Sequence, residues 1–225
     1  MAAVHGHLGD EAPSLFRHAV ESLHTARLRP EIRLEEVGAP RRLAAYAHAL
    51  EATVVSDGEE LAEGRLVLLH EPGGQEAWHG DLRVVTLARA ELEPEIAGDP
   101  LLPEVSWSWL TGALAARGAE YAEPSGTVSR ASSHYFGGLG DRPDDTQIEI
   151  RASWTPREAG TDRERNGGGD RGREIGAQAP DLAAHLAAWC DLLCACAGLP
   201  PSDSPDEPDS AEEGGGVVPL PKRRG

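Results

Sequence analysis

Between residues 147 and 154 the chain alternates without a break: Ile148, Ile150, Ala152 and Trp154 are interleaved with Gln147, Glu149, Arg151 and Ser153. Successive side chains of a β-strand point to opposite faces, so this pattern requires a strand with one face against an apolar layer and the other against polar surroundings. One strand cannot supply that layer. The rest of the chain must therefore contribute more strands and something to cover one side of them.

Further strand candidates lie at residues 31–37, 45–55, 65–70, 82–92 and 119–130. The segment 45–55 alternates and ends at the turn-forming Ser56-Asp57-Gly58, although its Ala-rich first half is also compatible with a helix. Residues 65–70 are apolar on both faces, as in a strand covered on both sides or central in its sheet. Short polar links favour antiparallel pairing. Three stretches have helical periodicity: 14–28, with Ser14 as N-cap; a second opening at Asp99-Pro100 and Pro103-Glu104 and stopping at Gly118; and a third from Pro180-Asp181 to Gly198. Val105, Trp109, Ala113 and Ala116 form the expected buried stripe of the second, with Trp107, Leu110 and Leu114 widening it into a sandwiched helix. The expected fold is α+β: a single domain, mainly antiparallel, with three helices in the order α-β-β-β-β-α-β-β-α.

The core must be modest. Leu, Val, Ile and Phe make up 44 of 225 residues, and 39 of them fall within residues 14–199. That concentration predicts a single domain over 14–199, with disordered residues 1–13, a flexible Gly- and charge-rich loop at 159–179, and a disordered acidic tail at 200–225. The tail ends in Val-Val-Pro-Leu-Pro-Lys-Arg-Arg-Gly, a short apolar and basic end able to dock. No internal repeat emerges.

A net charge of −17 argues against nucleic acid and anionic membrane surfaces as partners, since both select concentrated basic patches. The N-terminal residues lack the basic and apolar regions of a signal peptide, and no apolar run reaches 18 residues. Three cysteines bunched at 190, 194 and 196 suit a reducing compartment. These features predict a cytoplasmic protein. Twenty Arg against one Lys points to a GC-rich genome.

No metal site is expected: the cysteine spacing forms no ligand knuckle, and His5 and His7 stand without partner ligands. Glu91, Glu93 and Glu95 read as a solvated strand end. Residues 125–141 bring Ser129, Ser133 and His134 together with other hydroxyls ahead of Gly137, Gly138 and Gly140. Here hydroxyls, a titratable imidazole and a pliable backbone coincide, with Arg151 on the neighbouring strand as an anion contact. The segment is not a GxSxG elbow, a P-loop or a GxGxxG turn, and its ordinary reading is a strand with an outward Ser/Thr face. No catalytic residue and no cofactor is assigned.

The strings DPLLPEVSWSWLTGAL, GTVSRASSHYFGGL, QIEIRASWTPRE and HLAAWCDLLCACAGLPP, in that order, resemble an actinobacterial family catalogued as domain of unknown function three thousand. The resemblance implies a single domain over most of 14–200 and brings no known activity, substrate or catalytic residue. The order of elements alone is similar to the type III secretion chaperone fold, with one extra strand, which favours a binding module. Two functions follow as expectations. One is a non-catalytic interaction or regulatory module binding a protein partner or a second copy of itself; the other is an enzyme or small-ligand binder using residues 125–141.

Overall fold

The structure, a computed structural model, describes residues 12–158 and 179–201. The disorder expected for residues 1–11, 159–178 and 202–225 lies outside the described residues. Ala12, placed above in the disordered end, is already buried in the core.

Six strands form one antiparallel sheet: β1 (Ile32–Val37), β2 (Tyr46–Ser56), β3 (Glu59–Gln75), β4 (Gly80–Glu91), β5 (Tyr121–Ser133) and β6 (Asp145–Pro156). Their order is β1-β2-β3-β4-β6-β5, so β6 lies inside and its hairpin partner β5 takes the edge. The helices are α1 (Ser14–Leu23), a short α2 (Pro94–Ala97), α3 (Leu102–Ala116) and α4 (Leu182–Cys196). The expected α+β order is present, with α2 as an addition.

Local chemistry explains the boundaries. Asp57 and Gly58 both have positive φ and join Ser56 to its partner Glu59, the two-residue turn whose twist matches a hairpin. Asp181 caps α4 by accepting from the Ala183 amide at 3.0 Å. Gly118, at φ 64°, takes the left-handed position after α3. The N-cap of α1 is Pro13, not Ser14, and the helix stops five residues short of the expected end in a turn at His24 and Thr25.

β3 runs from 59 to 75, well beyond the apolar 65–70 core, because both of its neighbours pair along its charged first third. The alternate residues Leu50, Ala52, Val54, Leu66, Leu68, Val84, Ala88, Ile148, Ile150 and Trp154 share one face and form the core with the helices. The sandwiched helix is α4, which contacts α1, α3 and four strands and is buried almost all round. α3 packs outside it through Leu102, Ser106, Leu110 and Leu114, while Val105, expected in the buried stripe, is exposed. Gly64 admits α4 to the sheet: a Cβ there would stand 2.7 Å from the Trp189 ring and 2.5 Å from the Leu87 carbonyl oxygen. No helix among the described residues is long and apolar enough to cross a membrane.

Candidate functional site

The face of the sheet turned away from the helices carries the other half of each alternation. Register places these residues in rows across the strands. One row runs Ala49, Val67, Val85, Ser153, Ser125; the next runs Glu51, Arg65, Leu87, Arg151, Thr127; a third runs Thr53, Glu63, Arg89, Glu149, Ser129. The first two rows hold an open depression of about 560 Å³. Val67, Val85 and Leu87 supply apolar floor, and Arg65, Arg151, Ser125, Thr127 and Ser153 supply polar groups. Beside it, a smaller hollow of about 290 Å³ is lined by Glu63, Arg89, Ser129 and Glu149 among others.

The electrostatics of the larger depression run against those of the chain. Among the described residues no Asp or Glu lines it. Arg83, one pleat further along β4 on the same face and only 7% exposed, stands beside it. Its Nη2 donates to Ser153 Oγ at 2.8 Å and to Ser125 Oγ at 3.1 Å, and its Nη1 donates to Thr155 Oγ1 at 3.1 Å. Among the described residues no carboxylate reaches ion-pair distance of this guanidinium. Burial lowers its pKa from the ordinary arginine value, with Glu123 pulling the other way. Glu123 itself pairs with His79 at 3.0 Å. A buried cation held only by neutral hydroxyls is an uncommon arrangement, because desolvation is not offset by a counter-charge. Arg65 donates to the Gly38 carbonyl, stands 3.5 Å from Glu51, and keeps a buried Nε without a partner.

The residues singled out by sequence divide between two places. Arg151 lines the depression and reaches Glu149 at 2.8 Å, a carboxylate it shares with Arg89 at 2.6 Å. Ser129 lines the smaller hollow. Ser133 ends β5 opposite Asp145 and lines neither. His134 is exposed in the β5–β6 connection, where Nδ1 meets Asp144 Oδ2 at 2.7 Å. The four are therefore not one site. Ser125 belongs to the segment 125–141 singled out by sequence, whereas Arg83 and Ser153 escaped the sequence reading because each occupies an ordinary polar position in its strand.

The β5–β6 connection is braced. Besides the His134–Asp144 pair, the Tyr135 hydroxyl donates to Asp145, which raises the Tyr135 pKa, and the Arg142 guanidinium lies 5.9 Å from the Tyr135 ring centre. This frame presents Phe136, 82% exposed, together with Leu139.

Two other groups are structural. The Trp154 indole donates to His185 Nδ1 at 3.0 Å, joining β6 to α4, and burial lowers the His185 pKa to about 4. Burial raises the cysteine pKa values, Cys194 to about 11 and Cys196 to about 12, so the thiols are protonated packing groups on α4. Among the described residues no three His, Cys, Asp or Glu side chains cluster as metal ligands.

Comparison with known proteins returns a single kind of match: the family model described as "Protein of unknown function (DUF3000)" covers residues 12–205. No curated protein and no solved structure matches the chain.

Proposed function

The chain belongs to the DUF3000 family, whose description names no activity, and we propose on physical grounds that it is a non-catalytic binding module whose uncovered sheet face is the binding surface. The observation that carries this reading is the depression of about 560 Å³ on that face, with an apolar floor and a rim of arginine and hydroxyl groups. Apolar floors with a few convergent polar groups are how proteins hold small ligands, and this volume is within their usual range. A cytoplasmic location belongs to the same reading, since three buried, protonated thiols suit a reducing compartment.

A thermal-shift screen of metabolites against the full chain and a Leu87→Glu variant tests it. A ligand at 100 times its Kd stabilises by about 2.7 kcal/mol. The reading expects hits that stabilise the natural chain and not the variant. Hits that stabilise both equally place the ligand elsewhere and overturn it.

A second reading, a protein partner or a second copy docking on the β5–β6 connection, is favoured by Phe136 and Leu139 held bare on a braced frame. For the second copy, sedimentation across a concentration series should show association that a Phe136→Ser, Leu139→Ser variant loses. Identical monomeric behaviour of both chains counts against self-docking.

A further inference from the structure

Resting on the open face as the binding surface, we propose that the depression takes an amphiphile with an anionic oxygen head, a carboxylate or a phosphate. The head is seated at Ser125, Ser153 and Arg151 beside Arg83, and the apolar body lies across Val85 and Leu87 toward Arg65.

Charge comes first. In a chain of net charge −17, two arginines and, among the described residues, no acid line this depression, and a third arginine, Arg83, donates to two of its serines. The carboxylates that pair with these arginines, Glu51 at 3.5 Å from Arg65 and Glu149 at 2.8 Å from Arg151, stand outside the lining, so the arginines are the charged groups that face a bound anion.

Hydrogen bonding comes second. Ser125 Oγ and Ser153 Oγ each accept from Arg83 and lie 3.1 Å apart, so one serine donates to the other. The second serine's proton is then left for the depression, on a hydroxyl polarised by the cation behind it. Arg151 adds a guanidinium that pairs with one oxygen of Glu149 at 2.8 Å, the other oxygen being held by Arg89 at 2.6 Å, and its remaining N–H groups can donate to an anion. Among the described residues no carboxylate stands at ion-pair distance of Arg83, Glu123 acting on it only from further away, and a bound anion would add that charge through the serines.

Shape decides between an amphiphile and a small inorganic anion. The lining residues span β3, β4, β6 and β5. Four strands at their usual spacing extend about 14 Å, the length of a medium alkyl chain rather than of a phosphate ion. Val85 and Leu87 lie on β4, an inner strand of that span, with Arg65 on β3 at one end, Arg151 opposite Leu87 on β6, and the hydroxyls of Ser125 and Thr127 on β5 at the other end.

The test uses the full chain with sodium decanoate, decyl phosphate and 1-decanol, read by backbone amide NMR shifts and by calorimetry. The expected result is movement of the Val85, Leu87, Ser125 and Ser153 amides, with at least one anionic probe binding tenfold or more tighter than decanol. Decanoate against decyl phosphate then identifies the head. Arg83→Met should reduce this preference at least fivefold while leaving decanol binding unchanged. Arg151→Gln, at an exposed position, should weaken the anions in the same direction if Arg83→Met fails to fold. Equal binding of decanol and both anions on this face overturns the inference and leaves the binding-surface reading standing. Absence of any shift on this face with all three probes also overturns it, and the Leu87→Glu screen then decides the broader reading separately.

Discussion

The two faces of the sheet are made from the same six strands, and they use their residues in opposite ways. The covered face concentrates the few large aliphatic and aromatic side chains of the chain, and its main cross-layer polar link, Trp154 to His185, is neutral and fully buried. On the open face, Val67, Val85 and Leu87 stand among arginines, carboxylates and hydroxyls, and a guanidinium is buried with no carboxylate at ion-pair distance among the described residues. Scarcity explains the contrast: a composition with 44 Leu, Val, Ile and Phe can dress one face of a six-stranded sheet and one central helix, and on the other face only a small cluster of Ala49, Val67 and Leu69. The teaching is that stability is invested on one side and recognition on the other.

The largest test of this division is Trp154→Ala. Removing a fully buried ring and its bond to His185 should cost about 3–5 kcal/mol, measured by urea unfolding. Leu87→Ala on the open face should cost no more than about 1 kcal/mol. Similar losses for the two would break the comparison.

Next is pH. His185 titrates at about 4 in the folded chain against its ordinary 6.5, so the unfolded chain binds the proton first as pH falls. Stability present above about pH 6.5 should be lost progressively down to about pH 4, on the order of 3 kcal/mol. His48, also lowered by burial, acts in the same direction. His185→Gln, which can still accept from Trp154, should flatten the curve of unfolding free energy against pH; an unchanged slope would assign the acid sensitivity elsewhere.

Gly64→Ala follows, at about 1–3 kcal/mol by the same unfolding measurement, because the added methyl meets the Leu87 carbonyl and the Trp189 ring. Gly138→Ala in the β5–β6 connection, where a Cβ meets nothing within 4 Å, should change stability by less than about 0.5 kcal/mol. Arg83→Met is expected to change stability by about 1 kcal/mol or less in either direction, since it removes a desolvated charge held by hydroxyls with no carboxylate at ion-pair distance among the described residues. A loss of 3 kcal/mol or more would make Arg83 a structural pin and blur the contrast between the faces.

Much of the fold was legible because it is written in local periods. The alternation at 147–154 specified β6 and its covered face, Asp57-Gly58 specified a hairpin, and Asp181, Gly118 and Gly198 bounded the helices. Less was legible where pairing overrides local preference. The charged start of β3 is strand only because β2 and β4 both bond to it, and the buried stripe of α3 was shifted because α4, rather than the sheet alone, lies against it.

The candidate site shows the limit most clearly. Ser125, Thr127, Ser129 and Arg151 were recognised as a polar face, which is a statement about period two and needs no neighbours. That Arg83 lies against Ser125 and Ser153, 42 and 70 residues away, depends on β6 entering the sheet between β4 and β5. Strand order is set by how long-range pairings and helix packing are satisfied together, and no local pattern encodes it. Sequence by itself determined that this chain builds a sheet with one dressed face and one polar face; tertiary structure alone decided which polar residues meet there, and so brought Arg65, Arg83 and Arg151 together around one hollow.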